Sequence, residues 1–243
     1  MTQDFTAFVG TVGIGGSGIW RSVDGGENWT VPKGIRDEFN CCALAVDPRN
    51  PDLVYAGLRD GIYRSEDRGV NFHRINCPIN AYAVWSVAVD PSDSDTIFAG
   101  CRPGAVFRSS DGGERWEKLP VEFAPEGLFG GAPRVLAVAV DPTDSSIVWA
   151  GVEADGVRLS TDGGETWKRV GDRQIDSDIH GIAISPGSPS LVFVNTEWEV
   201  YRSGDAGETW TAVGAAETFS MPYCRGVAVK PGHPDVVLSL IHI

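Results

Sequence analysis

The chain has 243 residues, 42% of them hydrophobic, with 30 glycines and 15 prolines, a composition that supplies a packed core and many short strands joined by turns. Its formal charge of −13, from 33 acidic and 20 basic side chains, repels phosphate backbones and anionic lipid, which excludes nucleic acid and membrane surfaces as general partners. No apolar run of about 18 residues exists to span a bilayer, and five cysteines without a C-x-x-C pair give neither a disulfide framework nor a structural zinc motif.

Residues 1–31 read as a partial unit. It has a strand at AFVG, a strand at IWRS and then the turn SVDGGENW from Ser22. The N-terminal segment MTQDFTAFVG lacks a basic region followed by an apolar run, so the expected compartment is the cytoplasm, with reduced thiols. Four fuller units follow at about 40–76, 84–120, 134–171 and 179–214. Each opens on a strand–turn–strand segment: ALAVDPRNPDLVYAG from Ala43, SVAVDPSDSDTIFAG from Ser86, AVAVDPTDSSIVWAG from Ala137 and GIAISPGSPSLVFVN from Gly181. A third short strand comes next (GIYRS, AVFRS, VRLS, EVYRS), then an eight-residue turn, then a fourth strand (NFHRI, RWEKL, TWKRV, TWTAV). The last segment, 225–243, supplies a first strand and the start of a second, so the pattern is expected to continue with a Gly-[Ile/Val]-Tyr-Arg-Ser strand.

The turn recurs five times, as SVDGGENW, SEDRGVNF, SSDGGERW, STDGGETW and SGDAGETW, with Asp24, Asp67, Asp111, Asp162 and Asp205 at its third position. Successive aspartates lie 43, 44, 51 and 43 residues apart. A period of that length with four strands per unit is a β-propeller blade, which buries its faces only by stacking on neighbours. The first strands agree, because they alternate branched aliphatics (Leu44, Val46; Val87, Val89; Val138, Val140) with small residues, and neither face is polar. The fold expected is all-β: one propeller domain over 1–243, of four-stranded antiparallel blades, as a truncated six- or seven-bladed ring. In the turns, Asp accepts backbone N–H bonds, Gly supplies backbone angles that side chains forbid, and the closing aromatic (Trp29, Phe72, Trp116, Trp167, Trp210) covers the hairpin. These residues are read as structural.

The pattern Ser-x-Asp-x-Gly-x-Thr-Trp resembles the Asp-box, or BNR repeat, of sialidases and related propellers, and the likeness covers nearly the whole chain. Complete matches stand at Ser160–Trp167 and Ser203–Trp210, and Asn28, Asn71 and Arg115 replace Thr in the other copies. The DPxxPDxVYAG segments are similar to those of xyloglucanase-type glycosidases, sortilin-type receptors and photosystem II assembly-factor propellers. The resemblance implies the fold and leaves activity open, since such relatives include hydrolases and pure binders. The sialidase catalytic set is not reproduced. Only Arg21, inside IWRS, precedes the first box, and Tyr223 beside Arg225 has no Glu partner given by the sequence. The basic face that the assembly factors' resemblance would bring is not evident in so acidic a chain.

Within a propeller, the connections from strand four to strand one and from strand two to strand three share one rim, and here that rim varies from unit to unit. Seven residues before the Asp of AVDP, or its equivalent, stand Asn40, Ala83, Arg134, Asp178 and Tyr223; five before it stand Cys42, Trp85, Leu136, His180 and Arg225. The strand-two-to-three loops add Arg59, Asp60, Arg102, Glu153, Asp155, Glu197 and Trp198. Asn40, Arg59, Trp85, Arg102, Arg134, His180, Trp198, Tyr223 and Arg225 are therefore the candidate ligand contacts. Glycoside hydrolysis would need a pair of facing carboxyls, for which Glu153, Asp155, Asp178 and Glu197 are the candidates. No metal-ligand spacing singles out His180, Asp178, Cys42 and Cys224, so neither metal nor cofactor is expected. One connection, 120–133, is longer than the rest and carries Phe123, Leu128 and Phe129; it is read as a lid, a docking surface or, preferentially, a loop folded over its own blade. The expected function is a monomeric, non-catalytic scaffold for a glycan, peptide or protein, with a glycoside hydrolase as the alternative.

Overall fold

The computed structural model describes residues 6–11, 18–35, 40–127, 130–187, 190–218, 223–230 and 233–242. Four antiparallel four-stranded sheets follow one another along the chain, with a two-stranded sheet before them and another after. The first pairs β1 (Ala7–Thr11) with β2 (Gly18–Ser22). The next contains β3 (Cys41–Val46), β4 (Val54–Leu58), β5 (Gly61–Ser65) and β6 (His73–Arg74), in spatial order 3-4-5-6. A 3-10 turn at Pro78–Ala81 leads to β7 (Ala83–Asp90), β8 (Asp93–Arg102), β9 (Ala105–Ser110) and β10 (Glu117–Lys118). Then come β11 (Val135–Val140), β12 (Val148–Val152), β13 (Gly156–Ser160) and β14 (Lys168–Val170), followed by β15 (Ile179–Ser185), β16 (Leu191–Thr196), β17 (Val200–Ser203) and β18 (Thr211–Ala212). The short helix α1 (Ala215–Thr218) precedes β19 (Tyr223–Lys230) and β20 (His233–His242), which pair with each other. By contact density the chain forms two units, one of residues 1–99 with 107–117 and one of 100–106 with 118–243.

The core lies in the second and third strands. β4, β12 and β13 are buried along their whole length, whereas β3 and β15 are half-buried over most of theirs. The first strand is an edge of each four-stranded sheet, and its cover varies: β7 and β11 are buried at half or more of their residues. In the first unit, Val54, Ala56, Leu58, Tyr63 and Phe72 pack with Ile19 and Cys41; in the second, Trp149, Leu159, Ile179 and Val194 form one cluster and Phe193, Val200 and Cys224 another.

All five eight-residue turns share three bonds: Ser hydroxyl to Asp, the fifth-residue Gly N–H to Ser, and the seventh-residue N–H to Asp. In the first, Ser22 Oγ donates to Asp24 Oδ1 at 2.8 Å and accepts from Gly26 N–H at 2.9 Å, while Asp24 accepts the Asn28 backbone N–H at 2.9 Å and its side-chain amide at 2.7 Å. The Trp29 indole N–H closes the loop on the Gly26 carbonyl at 2.9 Å. Thr166 and Thr209 place a hydroxyl on the second oxygen of Asp162 and Asp205, each at 2.5 Å. These bonds hold the carboxylates of Asp24, Asp67 and Asp162 at a pKa of about 2, the largest causes being the bonds from Asn28, Asn71 and Thr166.

Candidate functional site

Four of the first strands, β3, β11, β15 and β19, share a detail that re-aims one side chain each. The ladder slips between Cys41 and Ala43, between Val135 and Ala137, between Ile179 and Gly181, and between Cys224 and Gly226. Each slip leaves one extra residue as a β-bulge: Cys42, Leu136, His180 and Arg225. Those are the residues counted five before the AVDP aspartate. A bulge turns its side chain out of the regular alternation, a device common beside binding sites.

In the second unit, several predicted residues come together around His180. Its Nε2 lies 3.3 Å from Asp178 Oδ2, its Nδ1 lies 2.8 Å from the Cys224 carbonyl, and its ring sits 5.4 Å from that of Tyr223. The Arg225 guanidinium covers the other side of Tyr223, 4.6 Å from its centroid. Both imidazole nitrogens face acceptors, so the doubly protonated ring satisfies both. Burial pulls the His180 pKa down, but the bonds to Asp178 and to the Cys224 carbonyl, with the Asp178 charge, outweigh it and raise the value overall; Arg225 works against them. The Cys224 N–H bonds the Glu197 carbonyl at 3.2 Å, which brings the β16–β17 loop alongside, and Trp198 in that loop is 50% exposed.

Asn195 belongs to this group and escaped the sequence reading. Fully buried on β16, it donates its side-chain amide to the same Cys224 carbonyl at 3.0 Å. Other sheets have glycine there, as at Gly57 and Gly151, opposite Ala43 and Ala137. Here the pair is inverted, with Gly181 opposite Asn195. A side-chain carbon on Gly181 would come within 2.4 Å of Asn195 Oδ1, so the glycine makes room for the amide. The replacement of Gly by Asn in an otherwise repeated segment was the available signal.

Two more of the candidate carboxylates, Glu153 and Asp155, are engaged by cations. Glu153 receives two bonds from the guanidinium of Arg134, each 2.5 Å. Asp155, 3% exposed, takes Arg158 at 2.7 Å and Arg169 at 3.3 Å, together with the Ala124 backbone N–H at 2.8 Å. Arg158, not singled out by the sequence, also donates to the Glu122 carbonyl at 3.2 Å, with its guanidinium 5.9 Å from the Phe123 ring centroid. The long connection is thus tied to its own blade at residues 122–124; Leu128 and Phe129 lie outside the described residues. A second buried acid, Glu199, accepts the N–H groups of Val200, Gly214 and Ala215 and so caps α1. Arg102, in the same unit, is exposed and precedes a cis proline, Pro103.

In the first unit, Asp60 accepts the Tyr63 hydroxyl at 2.9 Å and lies 3.5 Å from Arg74, while Arg59 is exposed and Asn40 and Trp85 are half-buried.

Comparison with known proteins places this geometry. The BNR/Asp-box repeat family matches residues 158–169. Over 154 residues, 53% of this chain, the sequence is 32% identical to the xyloglucanase Xgh74A of Acetivibrio thermocellus. The chain is a BNR/Asp-box repeat β-propeller related to the xyloglucanases. It spans 18% of that relative's length. An ancestral GH74 enzyme superimposes with a TM-score of 0.72 at 21% identity, covering 89% of this chain and 31% of that one. YCF48 bound to D1 peptide does so with a TM-score of 0.59 at 13% identity, covering 88% and 68%. A structure of the nidogen/laminin complex gives 0.67 at 12% identity, covering 97% and 84%. At these identities the structural likenesses speak for the propeller fold alone. Among the described residues, no helix is long and apolar enough to cross a membrane.

Proposed function

We propose that this propeller is a non-catalytic binding scaffold whose variable rim engages a glycan, peptide or protein. The observation that carries the reading is the state of its acids: Glu153 is clamped by Arg134, Asp155 by Arg158 and Arg169, and Asp178 by His180. A glycosidase needs one carboxyl that carries and releases a proton and a second poised to act on the sugar. Here three of the four candidate acids hold the rim together. What the rim offers a ligand is the exposed Trp198, on the loop bonded to Cys224, together with the stacked Tyr223 and Arg225. Peptide and protein partners are supported by the fold likeness to YCF48 bound to D1 peptide and to the nidogen/laminin complex.

The second reading, a xyloglucanase-like hydrolase using Glu153, Asp155, Asp178 and Glu197, is favoured by the 32% identity to Xgh74A. The two separate in one experiment. Xyloglucan oligosaccharides are titrated calorimetrically, and reducing-sugar release is followed in the same samples. Binding without turnover supports the scaffold. Turnover that is lost in Glu153→Gln or Asp178→Asn overturns it.

A further inference from the structure

In two sheets the Asp-box turn is bridged from outside by a single amide. In the sheet of β3–β6, Lys33 donates its backbone N–H to the Val70 carbonyl at 3.0 Å and accepts the Phe72 N–H at 2.8 Å, as an isolated parallel bridge. Gly34 follows, and a side-chain carbon on it would fall 1.8 Å from the Phe72 carbonyl oxygen, so the segment lies directly against the turn. In the sheet of β15–β18 a side-chain amide makes the same two bonds. Gln174 Nε2 donates to the Glu208 carbonyl at 3.0 Å, and its Oε1 accepts the Trp210 N–H at 3.1 Å. Val70 and Glu208 are the sixth residues of their turns, and Phe72 and Trp210 the eighth. A carbonyl and an N–H two residues apart on one edge have the spacing that an added strand meets.

The sheet of β11–β14 has the same register. Leu159 stands opposite Lys168 as Arg64 does opposite His73 and Arg202 opposite Thr211, so Glu165 and Trp167 present the same pair. Among the described residues, the Trp167 backbone N–H makes no hydrogen bond. The cause is an inversion in sequence. Where GIYRS and VYRS put Tyr63 and Tyr201 before an arginine, GVRLS puts Arg158 before Leu159. Arg158 donates through Nε to the Glu122 carbonyl, and its partner Asp155 accepts the Ala124 N–H. The preceding connection is thus held by this ion pair and not by the turn. A cavity of about 540 Å3 is lined by Pro120 and Glu122 from the connection and by Glu165 and Trp167 from the turn, with Arg158 and Arg169. In the sheet of β7–β10 the Trp116 N–H also makes no bond among the described residues, but the groove there is lined by residues 108–117 of that sheet, without a facing wall from a connection.

We propose that this cleft beside β14 binds an extended peptide of a partner protein, added to the turn as a parallel bridge. The bridging residue of the peptide donates its N–H to the Glu165 carbonyl and accepts the Trp167 N–H, as Lys33 does at its own turn. A carbonyl oxygen has two lone pairs, so Glu165 can accept this bond whatever else the residue contacts. The walls set a charge preference. Asp155 and Asp172 engage the two arginines, whereas Glu122 is exposed and forms no ion pair among the described residues, which favours a basic residue at the bridge. The site follows the edge strand of its sheet and is distinct from the rim that carries Trp198.

The probe is the chain's own bridging segment, residues 30–35, as acetyl-Thr-Val-Pro-Lys-Gly-Ile-amide, titrated to about 2 mM into the whole nitrogen-15-labelled chain. The Trp167 backbone amide should shift and saturate, with a Kd of about 0.1–1 mM. N-methylating the peptide's lysine nitrogen removes the donor and should weaken binding about tenfold or more. Glu122→Arg, at an exposed position, should weaken the lysine peptide about fivefold and leave its alanine counterpart unchanged. Gln174→Ala opens the corresponding slot at β18, so the Trp210 amide should gain a saturable shift of its own. A Trp167 amide that does not move, shifts confined to the rim around Trp198, or an N-methyl peptide as tight as its parent would each overturn the proposal. So would a charge reversal without effect, or no new shift at Trp210 in Gln174→Ala.

Discussion

Asp155→Asn is the sharpest test of how the long connection is held. The substitution keeps the shape and removes the charge, leaving Arg158, only 9% exposed in its side chain, without its counter-ion. Removing one partner of a buried ion pair costs about 3–5 kcal/mol. Arg158 keeps its bonds to the Asp155 carbonyl at 2.7 Å and to the Glu122 carbonyl at 3.2 Å, so the lower end, about 3 kcal/mol, is expected. Urea unfolding followed by tryptophan fluorescence measures it. The double variant Asp155→Asn/Arg158→Leu should be more stable than the single one, because no unpaired charge stays buried. The Ala124 N–H also loses its charged acceptor, so proteolysis within 120–127 should accelerate. A loss below about 1 kcal/mol, or a double variant weaker than the sum of the two singles, would refute this account of the latch.

The inverted pair on the fifth sheet gives a cycle: Asn195→Gly should cost about 1–2 kcal/mol and Gly181→Ala about 1–3 kcal/mol, and the two together should recover part of the loss by rebuilding the Ala–Gly pair of Ala137 and Gly151. Strictly additive losses in thermal melts would count against it. The turn aspartates titrate low in the folded chain, near 2 for Asp24, Asp67 and Asp162, against about 3.9 in an unfolded chain. Their stabilisation is therefore complete above about pH 4 and lost as pH falls toward 2, which an acid titration by circular dichroism should show as cooperative unfolding in that window. His180 runs the other way. Its folded pKa is raised, so its contribution is full below about pH 6.5 and fades as pH climbs through the folded value. Proton NMR of the imidazole should find its midpoint above that of the unfolded chain, and Asp178→Asn should bring it down. Trp198→Ala, at an exposed loop position, should weaken ligand binding about tenfold or more while leaving the melting temperature unchanged.

The sequence alone determined the architecture. A turn that places Ser, Asp, Gly and an aromatic at fixed offsets is satisfied almost entirely by its own eight residues, so its bonds could be anticipated from local chemistry, and its spacing set the strand count of each sheet. The four bulged positions could also be reached by counting, since all stand five residues before the AVDP aspartate or its equivalent. Pairing was not. Nothing in the linear order said that Arg134 would close on Glu153, that Arg158 would take Asp155 and the 122–124 segment together, or that Asn195 and His180 would share the Cys224 carbonyl. The two ion pairs are closed by strand pairing within the β11–β14 sheet, and the Cys224 carbonyl is reached only where β19 packs against β15 and β16. A buried charge must find a counter-ion wherever packing puts one, and only the folded chain decides where that is.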